Sequence, residues 1–271
     1  RPSLIVLSYK NKIDNPTVCK YFSLNETRST QSPVDIEYTV KRFRDVIYET
    51  NDIGDFNDDG VADLLMLREN SGAKAQIFYG GSSMSNTPDL SIGIEEAGLN
   101  LSSTISGDFN GDGVSDIAVP AGFGSRVQIY FGGSNPDTNV DHVISTDDME
   151  LGQINVIHNI GDVNDNGADE LIATDLGAES NNEKLAIFSG GSTISETPDH
   201  IIEYEGRSQS GIPAAAPGDV NGDGIDDFVI GRPSYSDSLN SAGRADVYFG
   251  AEELSWAEPD LTLRPDSLNN S

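Results

Sequence analysis

Hydrophobic residues in this chain come in short runs of two kinds. One kind is continuous: Leu64-Leu65-Met66-Leu67, Ile117-Ala118-Val119, Leu171-Ile172-Ala173 and Phe228-Val229-Ile230. The other alternates with polar residues and ends in glycine or close to it: 74–79, 126–131, 185–189 and 245–249. Short apolar runs bounded by Gly, Pro and polar residues predict strands rather than helices. A third set follows Pro-Asp pairs at 88–89, 136–137, 198–199 and 259–260, and reads as a further strand at 90–92, 142–145, 201–204 and 261–263. With a lead-in such as Thr104-Ile105-Ser106 the unit has four strands.

Between the lead-in and the continuous run lies an oxygen-rich loop, present four times. Asp55, Asn57, Asp59 and Asp63 occupy positions 1, 3, 5 and 9 of the first, and Asp108, Asn110, Asp112 and Asp116 those of the second. Asp162, Asn164, Asn166 and Glu170 form the third, and Asp219, Asn221, Asp223 and Asp227 the fourth. Position 7, Val61, Val114, Ala168 or Ile225, can offer a backbone carbonyl whatever its side chain. Alternating oxygens suit a hard cation such as calcium, which takes six to eight oxygen ligands. An Asx-rich turn would explain any single copy. The leading glycines, 54, 107, 161 and 218, are however 53, 54 and 57 residues apart, and a fixed period of this size means a repeat architecture. Position 12 is Met66, Val119, Ala173 or Ile230, so the bidentate acid of an EF-hand is missing and a strand follows instead of a helix.

The expected fold is therefore all-β: a β-propeller of four-stranded antiparallel blades, forming one domain over 1–271 or part of one. Complete blades are expected near 51–103, 104–157, 158–214 and 215–271. Residues 1–50 supply strand-like segments at 3–7, 18–22 and 33–38 but no loop, and read as a partial N-terminal blade. An unpaired edge strand is something natural sheets avoid, so the chain reads as part of a larger ring. Beginning at Arg1, it also reads as a mature product or an excised piece, without a leader or a spanning segment.

Charge narrows the partners. The 271 residues hold 16 Lys and Arg against 45 Asp and Glu, a net charge of −29. Nucleic acid needs a basic face and is excluded, as is insertion into an anionic membrane. The loops account for 11 of the acids, and four bound calcium ions would bring the net charge to −21, still strongly acidic. One cysteine, Cys19, rules out an internal disulfide framework. Metal in place of disulfides points to an exported protein.

The loops, Gly-Arg-Pro at 231–233 and the Tyr-Phe-Gly ends at 130–132 and 248–250 resemble FG-GAP repeats. These are the blades of integrin α-subunit propellers and of many bacterial exported proteins. The resemblance covers about 51–263. It implies a propeller, often seven-bladed, with calcium in the blade hairpins and one face used for binding. The chain departs from the pattern in lacking a full Gly-Ala-Pro and any Arg-Gly-Asp, and in Asn166 and Glu170 of the third loop.

No catalytic constellation is legible. His142 and His200 stand at equivalent positions, His158 lies in the strand entering the third loop, and no nucleophile motif accompanies them. Tyr79, Tyr130, Phe131, Phe188, Tyr248 and Phe249 recur at one place in the blade and read as core, while Trp256 breaks the repeat and is read as edge packing over a sugar platform. Three readings follow: a secreted or cell-surface module, stabilised by up to four calcium ions, that binds a protein or glycan; the propeller of a secreted polysaccharide lyase or hydrolase; and a structural spacer of a larger surface protein.

Overall fold

The computed structural model describes residues 18–20, 35–37, 46–69, 73–94, 103–145, 154–175, 182–205, 212–233, 235, 243–252 and 256–264. Among the described residues its regular structure is β-strand apart from 3-10 turns at Ser103 and at Gly122–Gly124. Four antiparallel sheets of four strands follow one another along the chain. The first holds β3 (Val46–Asp52), β4 (Leu64–Glu69), β5 (Ala73–Phe78) and β6 (Leu90–Ile94), after a two-stranded pair of β1 (Val18–Lys20) and β2 (Asp35–Glu37). The second holds β7 (Ile105–Gly107), β8 (Asp116–Ala121), β9 (Arg126–Tyr130) and β10 (His142–Ser145). The third holds β11 (Ile154–Asn159), β12 (Leu171–Asp175), β13 (Asn182–Phe188) and β14 (His200–Glu205). The fourth holds β15 (Ala214–Gly218), β16 (Asp227–Arg232), β17 (Arg244–Tyr248) and β18 (Leu261–Leu263). These are blades of the propeller type, each a meander with sequential neighbours paired. The expected segment at 3–7 lies outside the described residues.

The two kinds of apolar run now have a reason. The second strand of a blade flanked on both sides is covered on both faces, so β8 is buried at all six residues and needs no alternation, whereas β16 of the fourth blade is buried at only three of six. Outer strands bury one face: β6 alternates along its length, with Ile92 and Ile94 inside. Blade packs on blade. One apolar cluster joins Phe56, Leu65, Leu67 and Ile77 of the first to Ile117, Val119 and Tyr130 of the second. A second runs from Phe109 and Ile129 to Leu171 and Phe188, and a third from Ile172 and Ile187 to Phe228 and Tyr248. Inner strand β11 lies against both β7 and β15, which lines the inner strands up side by side. Pro217, with no N–H to give, falls where the β15–β16 register shifts.

Trp256 is core, not platform. It is 3% exposed, packs edge-on to Phe228 and His200, and donates its indole N–H to the Phe249 carbonyl at 2.9 Å.

Candidate metal-binding loops and the blade seams

Each oxygen-rich loop joins the first strand of a blade to the second, as the sequence predicts. Within it the side chains fold back onto the backbone. Asp108 Oδ1 accepts the N–H groups of Gly111 and Asp112, and its Oδ2 that of Gly113 at 2.7 Å. Asn110 Oδ1 accepts from Asp112 N–H, and Asp112 Oδ1 from Val114 N–H, each at 2.9 Å. Asp219, Asn221 and Asp223 repeat this set in the fourth loop, and Asp55, Asn57 and Asp59 repeat most of it in the first. Position 6 is glycine at positive φ (+84°, +86°, +89° and +98° for Gly60, Gly113, Gly167 and Gly224), a region that side chains resist.

Position 9 carries a role that spacing alone does not reveal. Its carboxylate is buried under the loop, with Asp116, Glu170 and Asp227 at 0% exposure and Asp63 at 3%. Asp116 Oδ2 accepts from Phe109 and Asn110 N–H, and Oδ1 from Gly132 N–H at the end of the third strand, at 2.9, 3.2 and 2.9 Å. Asp63 and Asp227 hold the matching three donors, from Phe56, Asn57 and Gly80 and from Val220, Asn221 and Gly250. One side chain thus staples the loop to the far side of its own blade.

The loops also form the seams between blades. The carbonyl at position 2 accepts an N–H from the next blade: Phe56 from Gly133, Phe109 from Gly191 and Val163 from Ala251, each at 2.9 Å. Asp108 O takes Asp169 N–H at 2.8 Å in the same way. Phe56, Phe109 and Val163 are accordingly buried, whereas the equivalent Val220 of the fourth blade is 54% exposed. Close approach requires glycine at the third strand's end. A Cβ on Gly190 would collide with the Asp169 carbonyl and stand 2.8 Å from that of Phe109.

A second acid per blade caps the end of the third strand. Asp89, Asp199 and Asp260, of the Pro-Asp pairs, accept the N–H of Tyr79, Ser189 and Phe249. In the second blade the cap is Asp141, which takes Phe131 N–H at 2.8 Å, rather than the aspartate of the Pro-Asp pair. Asp137 instead closes a local turn with Asn139.

Burial works against the charge of Asp63, Asp116 and Glu170. Burial pushes Asp116 up to about 7 and Glu170 up to about 8, and raises Asp63, against the lowering effect of the amides that bond them. Among the described residues these carboxylates accept from backbone amides and, at Glu170, from the Asn164 side chain. In the third loop Asn164 turns its Nδ2 onto Glu170 Oε1 at 2.8 Å, leaving its Oδ1 buried with no hydrogen-bond partner. That orphaned carbonyl oxygen is the position-3 donor of the candidate set. Among the described residues no three Asp, Glu, His or Cys side chains converge closely enough to hold a metal as they stand. The donor chemistry nevertheless fits a hard cation: oxygens only, two or three formal charges per loop, buried carboxylates held above their ordinary pKa, and one unsatisfied carbonyl.

Of the histidines, His142 and His200 begin the fourth strands β10 and β14, as expected. His158 is in β11, its pKa lowered by burial and its Nε2 without a hydrogen-bond partner.

Comparison with known proteins agrees with this geometry. A family described as "FG-GAP-like repeat" matches residues 55–119, and one described as "FG-GAP repeat" matches 100–139 and 213–248. The third loop, with Asn166 and Glu170, falls outside both. Integrin alpha-5 of Xenopus laevis is 23% identical over 242 residues, 80% of this chain and 22% of that subunit. Integrin alpha-PS2 of Drosophila melanogaster is 24% identical over 208 residues, 71% of this chain and 14% of that subunit. The chain therefore spans less than a quarter of either relative. Blades of the propeller type, repeats matched over 55–139 and 213–248 and similarity to two integrin α subunits agree that the chain carries FG-GAP repeats like those of integrin α subunits.

Proposed function

We propose that the chain is an extracellular or cell-surface interaction module whose blades are clamped by calcium in the four loops. The observation that carries this is the burial of a position-9 carboxylate, four times over, beneath a loop of further oxygens. Asp55, Asn57, Asp59 and Asp63 would hold the first ion with the Val61 carbonyl, and Asp108, Asn110, Asp112, Asp116 and the Val114 carbonyl the second. Asp162, Asn164, Asn166, Glu170 and the Ala168 carbonyl would serve a third, and Asp219, Asn221, Asp223, Asp227 and the Ile225 carbonyl a fourth. A divalent cation supplies positive charge where carboxylates otherwise repel one another. Because the same loops donate the seam carbonyls, ordering a loop also orders the next blade.

Integrin similarity supports a protein-binding role within a larger chain outside the cell. No helix among the described residues is long and apolar enough to cross a membrane. Binding only to the folded state raises apparent stability with ligand concentration. EDTA should therefore lower the melting temperature, and calcium but not magnesium should restore it; an unchanged melt would defeat the proposal. Screening the calcium-loaded protein on a glycan array and in a lyase assay on acidic polysaccharides separates the binding module from the enzyme.

A further inference from the structure

The first three blades each carry a trailing face that the blade following in sequence covers. In their fourth strands Ile92, Ile144 and Ile202 pair with Ala75, Val127 and Leu185. They are 0%, 0% and 5% exposed, because each shares an apolar cluster with the next blade. The leading glycines Gly54, Gly107 and Gly161 lie so close to Ser115, Asp169 and Asp226 that a Cβ would collide with them. Position 8 of one loop thus closes on the glycine ahead of the previous loop, beside the seam hydrogen bonds.

The fourth blade builds the same face and leaves it open. Leu263 pairs with Ala245 as Ile92 does with Ala75, yet it is 50% exposed. Val220 is 54% exposed where Phe56, Phe109 and Val163 are at most 1%. Val229 is half-buried where its equivalents Leu65, Ala118 and Ile172 are at most 1% exposed. Gly218 meets no atom of another blade, and among the described residues no backbone N–H reaches the Val220 carbonyl. A repeat array that ends in solvent needs a polar outer face, and this face is apolar.

We propose that this face is the receiving half of a further seam, and that its occupant is a blade of the same type supplied by the continuation of the parent chain. Chain order selects that occupant, since each covered face is covered by the blade next in sequence. So does the period: one further repeat of 53–57 residues from Gly218 places the next leading glycine at 271–275. A second copy would set one net charge of −29 against another, whereas a tethered blade meets the face at high effective concentration. The face also specifies what the blade carries. Its third strand ends in glycine with an N–H for the Val220 carbonyl, and position 8 of its loop is small or acidic, as Ser115, Asp169 and Asp226 are. Apolar residues in the places of Ile117, Val119 and Tyr130 cover Leu263. This inference deepens the reading of a module within a larger chain and uses no candidate metal ligand, so it and the calcium proposal fail separately.

The test compares thermal melting of residues 1–271 with that of the parent chain carried on by one period, both in millimolar calcium. Val220→Asn/Leu263→Asn should leave residues 1–271 melting as before, because both side chains already face water. In the longer chain it should lower the melting temperature by about 5 °C or more, because two amides then enter an apolar seam. Val143→Asn is the control: Val143 is 40% exposed in a blade already flanked on both sides, so neither chain should respond. A double variant with the same effect in both chains, or a parent sequence without a further loop at that spacing, would overturn the proposal. Self-association of residues 1–271 in analytical ultracentrifugation, abolished by the double variant, would also overturn it and make the occupant a second copy.

Discussion

Removing divalent metal should invert the usual effect of pH on this protein's stability. Asp116 and Glu170 are wholly buried, and without metal their carboxyls sit at about 7 and about 8 instead of the ordinary 3.8 and 4.5. A folded-state pKa above the unfolded one means the folded state binds protons more tightly. The resulting stabilisation is complete below about pH 4 and lost as pH rises through 7 to 8. At about 1.4 kcal/mol per pH unit, Asp116 accounts for about 4 kcal/mol and Glu170 for about 5. That sum is comparable with the whole stability of a typical domain, about 5–15 kcal/mol. Urea denaturation at pH 5 and pH 8.5 in metal-free buffer should therefore show a lower midpoint at the higher pH. With calcium in millimolar excess the order should reverse, because deprotonated carboxylates are the ligands. Asp116→Asn/Glu170→Gln leaves the acidic surface unchanged while removing the buried charges, so its metal-free profile should be flatter. A metal-free midpoint that is level or rises between pH 5 and 8.5 would refute the reasoning.

Three further outcomes follow from the packing. Gly190→Ala should destabilise by about 2–3 kcal/mol through overpacking at the seam between the second and third blades, read by thermal melting. Gly191→Ala should cost only about 1–2 kcal/mol, because its φ of +131° is unfavourable but nothing lies within 4 Å. Trp256→Ala should lose about 3–5 kcal/mol, since the ring is core; an unchanged melt would contradict its placement. The third loop, with two formal charges where the others have three, should bind calcium most weakly. Glu170→Gln should then reduce calcium binding less than Asp223→Asn, and an equal loss in calorimetric titration would count against that order.

Much of the blade was legible because the physics is local. Continuous apolar runs mark strands buried on both faces, as in β8, and the oxygen loops recur at a nearly constant spacing. What escaped was whatever depends on distant parts of the chain meeting. Nothing near Phe109 announces that its carbonyl takes an N–H from Gly191, so the seam function of the loops needed the fold. Asp141 was hidden because Pro136-Asp137 imitates the Pro-Asp turn of the other blades while the actual cap comes four residues later. Nothing in their spacing shows that Arg232, Arg244 and Arg264 gather around Tyr235, because that depends on three strands of one blade bringing their ends together. Asn164 looked equivalent to Asn57 and Asn110, but the longer Glu170 draws its amide away and leaves the carbonyl unsatisfied.

The most direct measurement is a count of bound calcium by equilibrium dialysis at pH 7.5, with atomic absorption of the protein compartment. Clamped loops predict up to four ions per chain, and fewer when Asp112, Asp223 or Asp59 is replaced by Asn. A chain that retains no calcium at millimolar concentration, and melts at one temperature with or without it, would show that the loops close on their own backbone hydrogen bonds alone.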